Sequence, residues 1–223
     1  MSTTLLPPRN PPRTPGAETL ARSDPWVHRF GRTERFAHWW VVLTLLVAIL
    51  SGLGMGDDGG SGPVLLVHVG AVVMMAAGLA ATLLFGNHRA VFAAGRQLFS
   101  LNGRDIAWLR GRARHPLRGT GEPAWGMFNA GQKLLAWSLT VSVTAVIVTG
   151  IQSWSAGGEG GLHGTTVLLT LVLLGAHIFM AVINPSTRPA LAGMVFGRVR
   201  RSWAAKHHPE WLWHQEHQRE RRG

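Results

Sequence analysis

The chain contains no cysteine. That absence excludes structural disulfides, thiolate metal sites, iron–sulfur ligation and covalent c-type haem attachment. Any redox cofactor must rest on other ligands, and 11 histidines are available. Charge is also scarce. Asp, Glu, Lys and Arg make up 15% of the 223 residues, against about 25% in soluble domains. Acidic residues are the scarcer half, 11 against 22 Lys plus Arg. A basic excess can mean nucleic acid. Here the cations lie between and around long apolar runs, which suits a membrane surface, so nucleic acid is not an expected partner. No secretory signal is expected, because the first long apolar run begins only near Phe36, behind a polar stretch rich in Pro and Arg, whereas a signal places its short apolar core nearer the start. Residues 1–25 are rich in Pro and Arg, lack apolar periodicity and read as a disordered cytoplasmic extension.

What is abundant is apolar sequence, 46% of residues, and it is clustered. A membrane span needs about 20 mostly apolar residues. Four segments qualify, at about 37–55, 63–85, 129–154 and 162–183. The expected fold is an all-α membrane protein, a four-helix transmembrane bundle. Residues 26–185 form the membrane domain and 186–223 a basic tail. The connections set the orientation. Asp57 and Asp58 lie between the first two spans and Glu159 between the last two, with no Lys or Arg in either place. The middle loop carries Arg89, Arg96, Arg104, Arg110, Arg112, Arg114 and Arg118. Six arginines precede the first span, and seven with Lys206 follow the last. The positive-inside rule then places both termini and the middle loop in the cytoplasm. Within that loop, Val91 to Leu109 has apolar residues at roughly helical spacing. It reads equally as a helix lying on the membrane surface or as a solvated helix or loop.

Four histidines fall inside the spans: His38, His68, His163 and His177. Ionisable groups at membrane depth are costly and functional by default. One such histidine is as readily a hydrogen-bonded core residue, but four weigh against that. His163 and His177 are fourteen residues apart on one span. At 100° and 1.5 Å per residue they point within about 40° of each other and stand about 21 Å apart. Span direction then pairs His68 with His163 near the outer face and His38 with His177 near the inner face. Each pair offers two imidazoles at one depth on different helices, which suits a flat macrocycle ligated from both sides. Two stacked haems of the b type are the expected cofactors. Zinc prefers about four ligands at one site, and two separated pairs with no neighbouring carboxylate suit zinc or copper poorly. Gly52, Gly70, Gly78, Gly150 and Gly175 could give a haem room, or could simply pack helices. Gly52 lies fourteen residues after His38, on nearly its face.

Several stretches resemble the cytochrome b (gamma) subunit of membrane-bound, quinone-linked formate dehydrogenases. They are RFAHWWVV at 35–42, FNAGQKLLAWS at 128–138, VTGIQSW at 148–154, the His163/His177 spacing, and RVRRSWAAKHHPEW at 198–211. The resemblance implies that His38, His68, His163 and His177 are the haem ligands, paired as above. It implies a menaquinone or ubiquinone site at Asn129, Gly131 and Gln132, next to His177. From the residues alone, those amides could bond a quinone carbonyl or merely begin a helix. Lys133 could meet a haem propionate or lipid headgroups. The resemblance further implies an iron–sulfur beta subunit, a molybdenum or tungsten alpha subunit that oxidises formate, a higher oligomer of the complex, and a place in the bacterial inner membrane. Rival readings are the cytochrome b of a hydrogenase or other molybdoenzyme, or a haem-free membrane anchor or small transporter. His207, His208, His214 and His217 read as interfacial or docking residues rather than a metal cluster, and His28, His88 and His115 as surface residues.

Overall fold

A computed structural model describes residues 25–55, 62–114, 126–155 and 161–221. The expected N-terminal extension up to residue 24, the acidic residues Asp57, Asp58 and Glu159, and His115 lie outside them. Four helices have the length and apolarity of membrane spans: α1 (Arg32–Leu53), α2 (Pro63–Phe85), α5 (Ala130–Ser155) and α6 (Gly161–Ile178). Two shorter helices, α3 (His88–Phe99) and α4 (Gly103–Arg114), stand between the pairs. The mean hydropathy of the most apolar windows is 2.0, 2.3, 2.0 and 2.4 along the chain. Only 6–17% of each window is buried, and Leu66 and Leu84 are each 74% exposed. Helices that are apolar on all faces and bury so little against protein require lipid around them. The chain is a multi-pass membrane protein.

The second, third and fourth spans run within a residue of their expected limits. The first helix starts at Arg32, a turn and a half before the apolar run. Glu34 in its first turn complements the positive helix start. Pro63 opens α2 at a position where its missing N–H costs nothing. Backbone contact is dense within the antiparallel pairs α1/α2 and α5/α6 and sparse between the two pairs. Beyond Ile178 the fourth span continues as a π turn, Phe179–Ile183, closed by Asn184 N donating to Phe179 O at 2.9 Å. The middle segment is two helices, not one, because Asn102 caps the second: its Oδ1 accepts from Arg104 N and Asp105 N at 3.0 Å. α3 touches α1, α2 and α5. Asn87 N donates to Thr33 Oγ1, and Phe99 meets Trp137 edge-on at 5.2 Å. With Phe92 58% exposed beside Arg89 and Arg96, α3 suits a headgroup layer.

The most buried part of the described chain is a cap on the side that carries both its ends, called here the terminal side. The cap adds a small sheet to the expected all-α fold. β1 (Trp26–His28) pairs antiparallel with β2 (Arg198–Arg200), Val27 opposite Val199. Gly197 precedes β2 with φ 79, and a Cβ there would stand 2.8 Å from Phe30 O, so only glycine fits. α7 (Leu191–Phe196), α8 (Arg201–His207) and α9 (Pro209–Glu220) complete the cap. Val27, Phe30, Met127, Val199, Ala204, Trp211 and Leu212 form its core. Arg29 is buried in it, donating to Met127 O at 2.6 Å. Its Nε and Nη1 have no hydrogen-bond partner among the described residues. The rings of Phe30, Trp203 and Trp211, at 5.2–5.7 Å, offset part of that charge. Burial lowers the Arg29 pKa to about 10, so it stays charged at neutral pH.

His208, expected at an interface, is instead 2% exposed. It donates Nδ1–H to Gly126 O at 2.8 Å. Burial first, and then the Arg29 charge, push its pKa down to about 3. The unfolded chain takes up a proton near pH 6.5, whereas the folded cap does not until near pH 3. The cap should therefore be fully stable above pH 6.5 and lose stability as pH falls below it, by up to about 1.4 kcal/mol per pH unit. Tryptophan fluorescence during unfolding, followed from pH 7.5 to 4, measures this. His208→Gln should flatten the dependence, and an unchanged slope in that variant would assign it to other groups.

Candidate haem and quinone sites

The helix arrangement brings the four membrane histidines together two by two. His38 on α1 and His177 on α6 have ring centroids 6.2 Å apart. His68 on α2 and His163 on α6 are 6.4 Å apart. The first pair lies near the terminal side. The second lies near the opposite side, where α1 and α5 end and α2 and α6 begin. Among the described residues no three His, Asp or Glu side chains converge, so each pair stands as a two-ligand site.

Both rings of the second pair are held in the same way. His68 Nδ1 lies 2.8 Å from Ala48 O, and His163 Nδ1 lies 3.1 Å from Val146 O. A carbonyl can only accept, so both Nδ1 atoms carry the proton and both Nε2 atoms present a lone pair. A hydroxyl stands beside each ring: Ser51 Oγ at 3.3 Å from His68 Nδ1 and Thr149 Oγ1 at 3.4 Å from His163 Nδ1. Each ring also lies close against a glycine. A Cβ on Gly52 would meet His68 Cε1 at 3.3 Å, and one on Gly150 would meet His163 Cε1 at 3.2 Å. Gly52, on nearly the His38 face of α1 by sequence spacing, thus abuts His68 on the neighbouring helix. Helical spacing finds partners within a helix, and this partner is across the hairpin. The signal that was present is a hydroxyl–glycine dipeptide, Ser51-Gly52 and Thr149-Gly150, one helix before each histidine.

In the first pair, His38 is positioned by the residues on either side of it. Trp39 Nε1 donates to Met194 O at 3.0 Å, and Trp40 Nε1 to Met74 O at 2.8 Å. The Trp40 indole lies against Gly78, where no side chain would fit. Arg35 Nη1 donates to Val195 O at 2.9 Å. Helix α1 is thereby fixed in rotation against α2 and α7, which aims His38 at His177.

Asn129 and Gln132 come together at the start of α5, on the terminal side. They form a reciprocal cap: Gln132 N donates to Asn129 Oδ1 at 2.8 Å, and Asn129 N to Gln132 Oε1 at 3.0 Å. Both amide oxygens must face main-chain N–H groups, so both NH2 groups are turned outward as donors. Helix initiation and ligand recognition are compatible here. A Cβ on Gly131 would meet Asn129 Oδ1 at 3.3 Å and the Trp108 ring at 3.6 Å. Lys133 is engaged within the protein. Its Nζ pairs with Asp105 Oδ2 at 2.7 Å, both side chains nearly buried. This pair borders a cavity of about 230 Å³ between α4, residues 126–128 and Glu210.

Paired histidines at two depths of a four-helix bundle are an arrangement able to hold a metal-centred cofactor between helices. The chain belongs to the prokaryotic cytochrome b561 family, which matches residues 29–197. It is similar to the nitrate-inducible formate dehydrogenase cytochrome b556(Fdn) subunit of Escherichia coli K12, 29% identical over 97 residues, covering 39% of this chain and 43% of that protein. It is similar to the formate dehydrogenase cytochrome b556 subunit of Haemophilus influenzae, 30% identical over 120 residues, covering 48% and 49%. The cytochrome b556(fdo) subunit of Escherichia coli K12 formate dehydrogenase is 23% identical over 194 residues, covering 82% and 90%. The chain thus spans under half the length of the first two relatives and most of the third.

Family membership implies haem b. The residues present fit that group. With metal–nitrogen bonds of about 2 Å and ring centres roughly 1 Å behind each nitrogen, two imidazoles on one iron have centroids about 6 Å apart. The observed 6.2 and 6.4 Å match, and the sparse contact between helix pairs suits a flat group between them.

Asp105→Asn would leave the Lys133 ammonium buried without its counter-charge and should cost about 3 kcal/mol or more. The double variant Lys133→Met, Asp105→Leu should recover most of it. Thermal unfolding in detergent compares the three chains, and an unperturbed Asp105→Asn would mean that the pair is solvated in the membrane.

Proposed function

We propose that this chain is the di-haem cytochrome b subunit of a formate dehydrogenase, carrying electrons from an iron–sulfur partner across the bacterial inner membrane to a quinone. The observation that carries the reading is the two histidine pairs, 6.2 and 6.4 Å between rings, at opposite ends of one bundle. The relatives' names support the dehydrogenase assignment. The basic terminal side faces the cytoplasm by the positive-inside rule, so His68 and His163 are the outer pair and His38 and His177 the inner pair. Each pair holds one haem b, which when bound supplies a one-electron carrier at that depth. The protein supplies the ligands, their orientation and the field around them. Formate oxidation belongs to a molybdenum or tungsten alpha subunit, joined by an iron–sulfur beta subunit on the outer side.

At the inner end, Asn129 Nδ2 and Gln132 Nε2 donate to a quinone carbonyl oxygen. Quinone reduction to quinol takes two electrons and two protons, and the protons come from the cytoplasm. Electrons moving inward and protons consumed inside both add to the membrane potential. The Lys133–Asp105 pair holds the start of α5 against α4, and so holds the donors in place.

A reduced-minus-oxidised spectrum with a haem-to-protein ratio should give two b haems per chain. His177→Ala should lose the inner haem and quinone reduction while the outer haem stays reducible, and retention of both haems would overturn the pairing. Gln132→Glu keeps the capping oxygen but removes the outward NH2. It should raise the quinone KM about tenfold, the worth of one hydrogen bond, with haem content unchanged. An unaltered KM would place the quinone elsewhere.

A further inference from the structure

The two histidine pairs differ in the partners of their rings. The His68 and His163 rings each donate Nδ1–H to a main-chain carbonyl, Ala48 O at 2.8 Å and Val146 O at 3.1 Å. His38 and His177 have no hydrogen-bond partner among the described residues. A carbonyl bonded to the far nitrogen makes an imidazole a more basic ligand. A more basic ligand favours the oxidised metal and lowers its reduction potential. Charge acts in the same direction. Between Arg35 and Arg89, and again between Lys133 and Arg188, the sequence has no Lys or Arg. Cations therefore gather at the terminal side, the side of His38 and His177, where positive charge favours the reduced metal. The acidic residues Asp57, Asp58 and Glu159 belong to the other side in sequence.

We propose that the Ala48 and Val146 carbonyls make the His68/His163 site the lower-potential of the two, so that the fold itself directs electrons toward His38/His177. This rests on the di-haem reading above. In the step it governs, one electron leaves the iron held at His68/His163 and reduces the iron held at His38/His177. No bond or proton changes place. The carbonyls are positioning groups that act through the imidazoles. Their placement depends on Gly52 and Gly150, which let each ring lie close enough to the neighbouring helix to reach a main-chain oxygen.

The test is a potentiometric titration of the haem-loaded full chain in detergent, read by visible absorption. His177→Ala leaves the outer site and His163→Ala the inner one, so the two midpoints can be assigned. The outer midpoint should be the lower, and the wild type should titrate in two waves matching these values. Gly150→Ala should raise the outer midpoint and leave the inner one in place, because the added methyl displaces the His163 ring from Val146 O. If that variant loses the outer haem, Gly52→Ala makes the same test through His68. Two haems with an outer midpoint equal to or above the inner one would overturn this inference and leave the di-haem reading standing. So would an outer midpoint unmoved by either glycine variant with haem retained. One haem per wild-type chain would sink the di-haem reading itself.

Discussion

An imidazole held at membrane depth has two nitrogens and no water, and both must find a partner within the protein or on a ligand. The rest of the structure depends on how that demand is met. At His68 and His163 one nitrogen is answered by a main-chain carbonyl, which leaves the other with a lone pair of the kind that ligates a metal. The carbonyls themselves come from helices whose main chain is already bonded. They act as shared acceptors beside a Ser or Thr hydroxyl that also turns back on its own helix. The polar cost of the site is met locally, and the outer surface of the bundle can stay largely apolar.

The two helix pairs use one device twice. In each, a carbonyl residue, then a hydroxyl three positions on, then a glycine next to it, face a histidine on the following helix. Ala48, Ser51 and Gly52 serve His68, while Val146, Thr149 and Gly150 serve His163. The other end is built differently. His38 is aimed by two indoles and the Arg35 guanidinium, which reach carbonyls of α2 and α7, and the folded cap lies on the same side of the bundle. The cap's buried Arg29 and neutral His208 tie residues near the first span to the segment after the last one. Both ends of the described chain are thereby fastened to one side of the bundle.

Much of this was legible in the residues. The spans at 63–85 and 162–183 follow from apolar length, and the pairing of His38 with His177 and of His68 with His163 follows from span direction and the fourteen-residue spacing on α6. Less legible was whatever depends on a partner from another helix. The Asp105 partner of Lys133 lies 28 residues away in a loop helix, and no local pattern marks it. The amides of Asn129 and Gln132 read as either a helix start or a quinone contact. The reciprocal cap makes them the first while leaving donors for the second. The tail after the last span reads as a polar, basic extension because its cations dominate the composition. Its burial of Val199, Ala204 and His208 arises only when it meets residues 26–30 and 126–128.

By itself the sequence determined how many times the chain crosses the membrane, which end of each span is basic, and which histidines share a depth. Those are properties of length, charge and spacing along one helix, and they need no knowledge of neighbours. Tertiary structure alone decided which carbonyl meets each imidazole, which glycine lies under it, and how the ends of the described chain close into a cap. Those depend on the rotation and axial offset of one helix against another, which packing between distant residues sets and no single segment encodes.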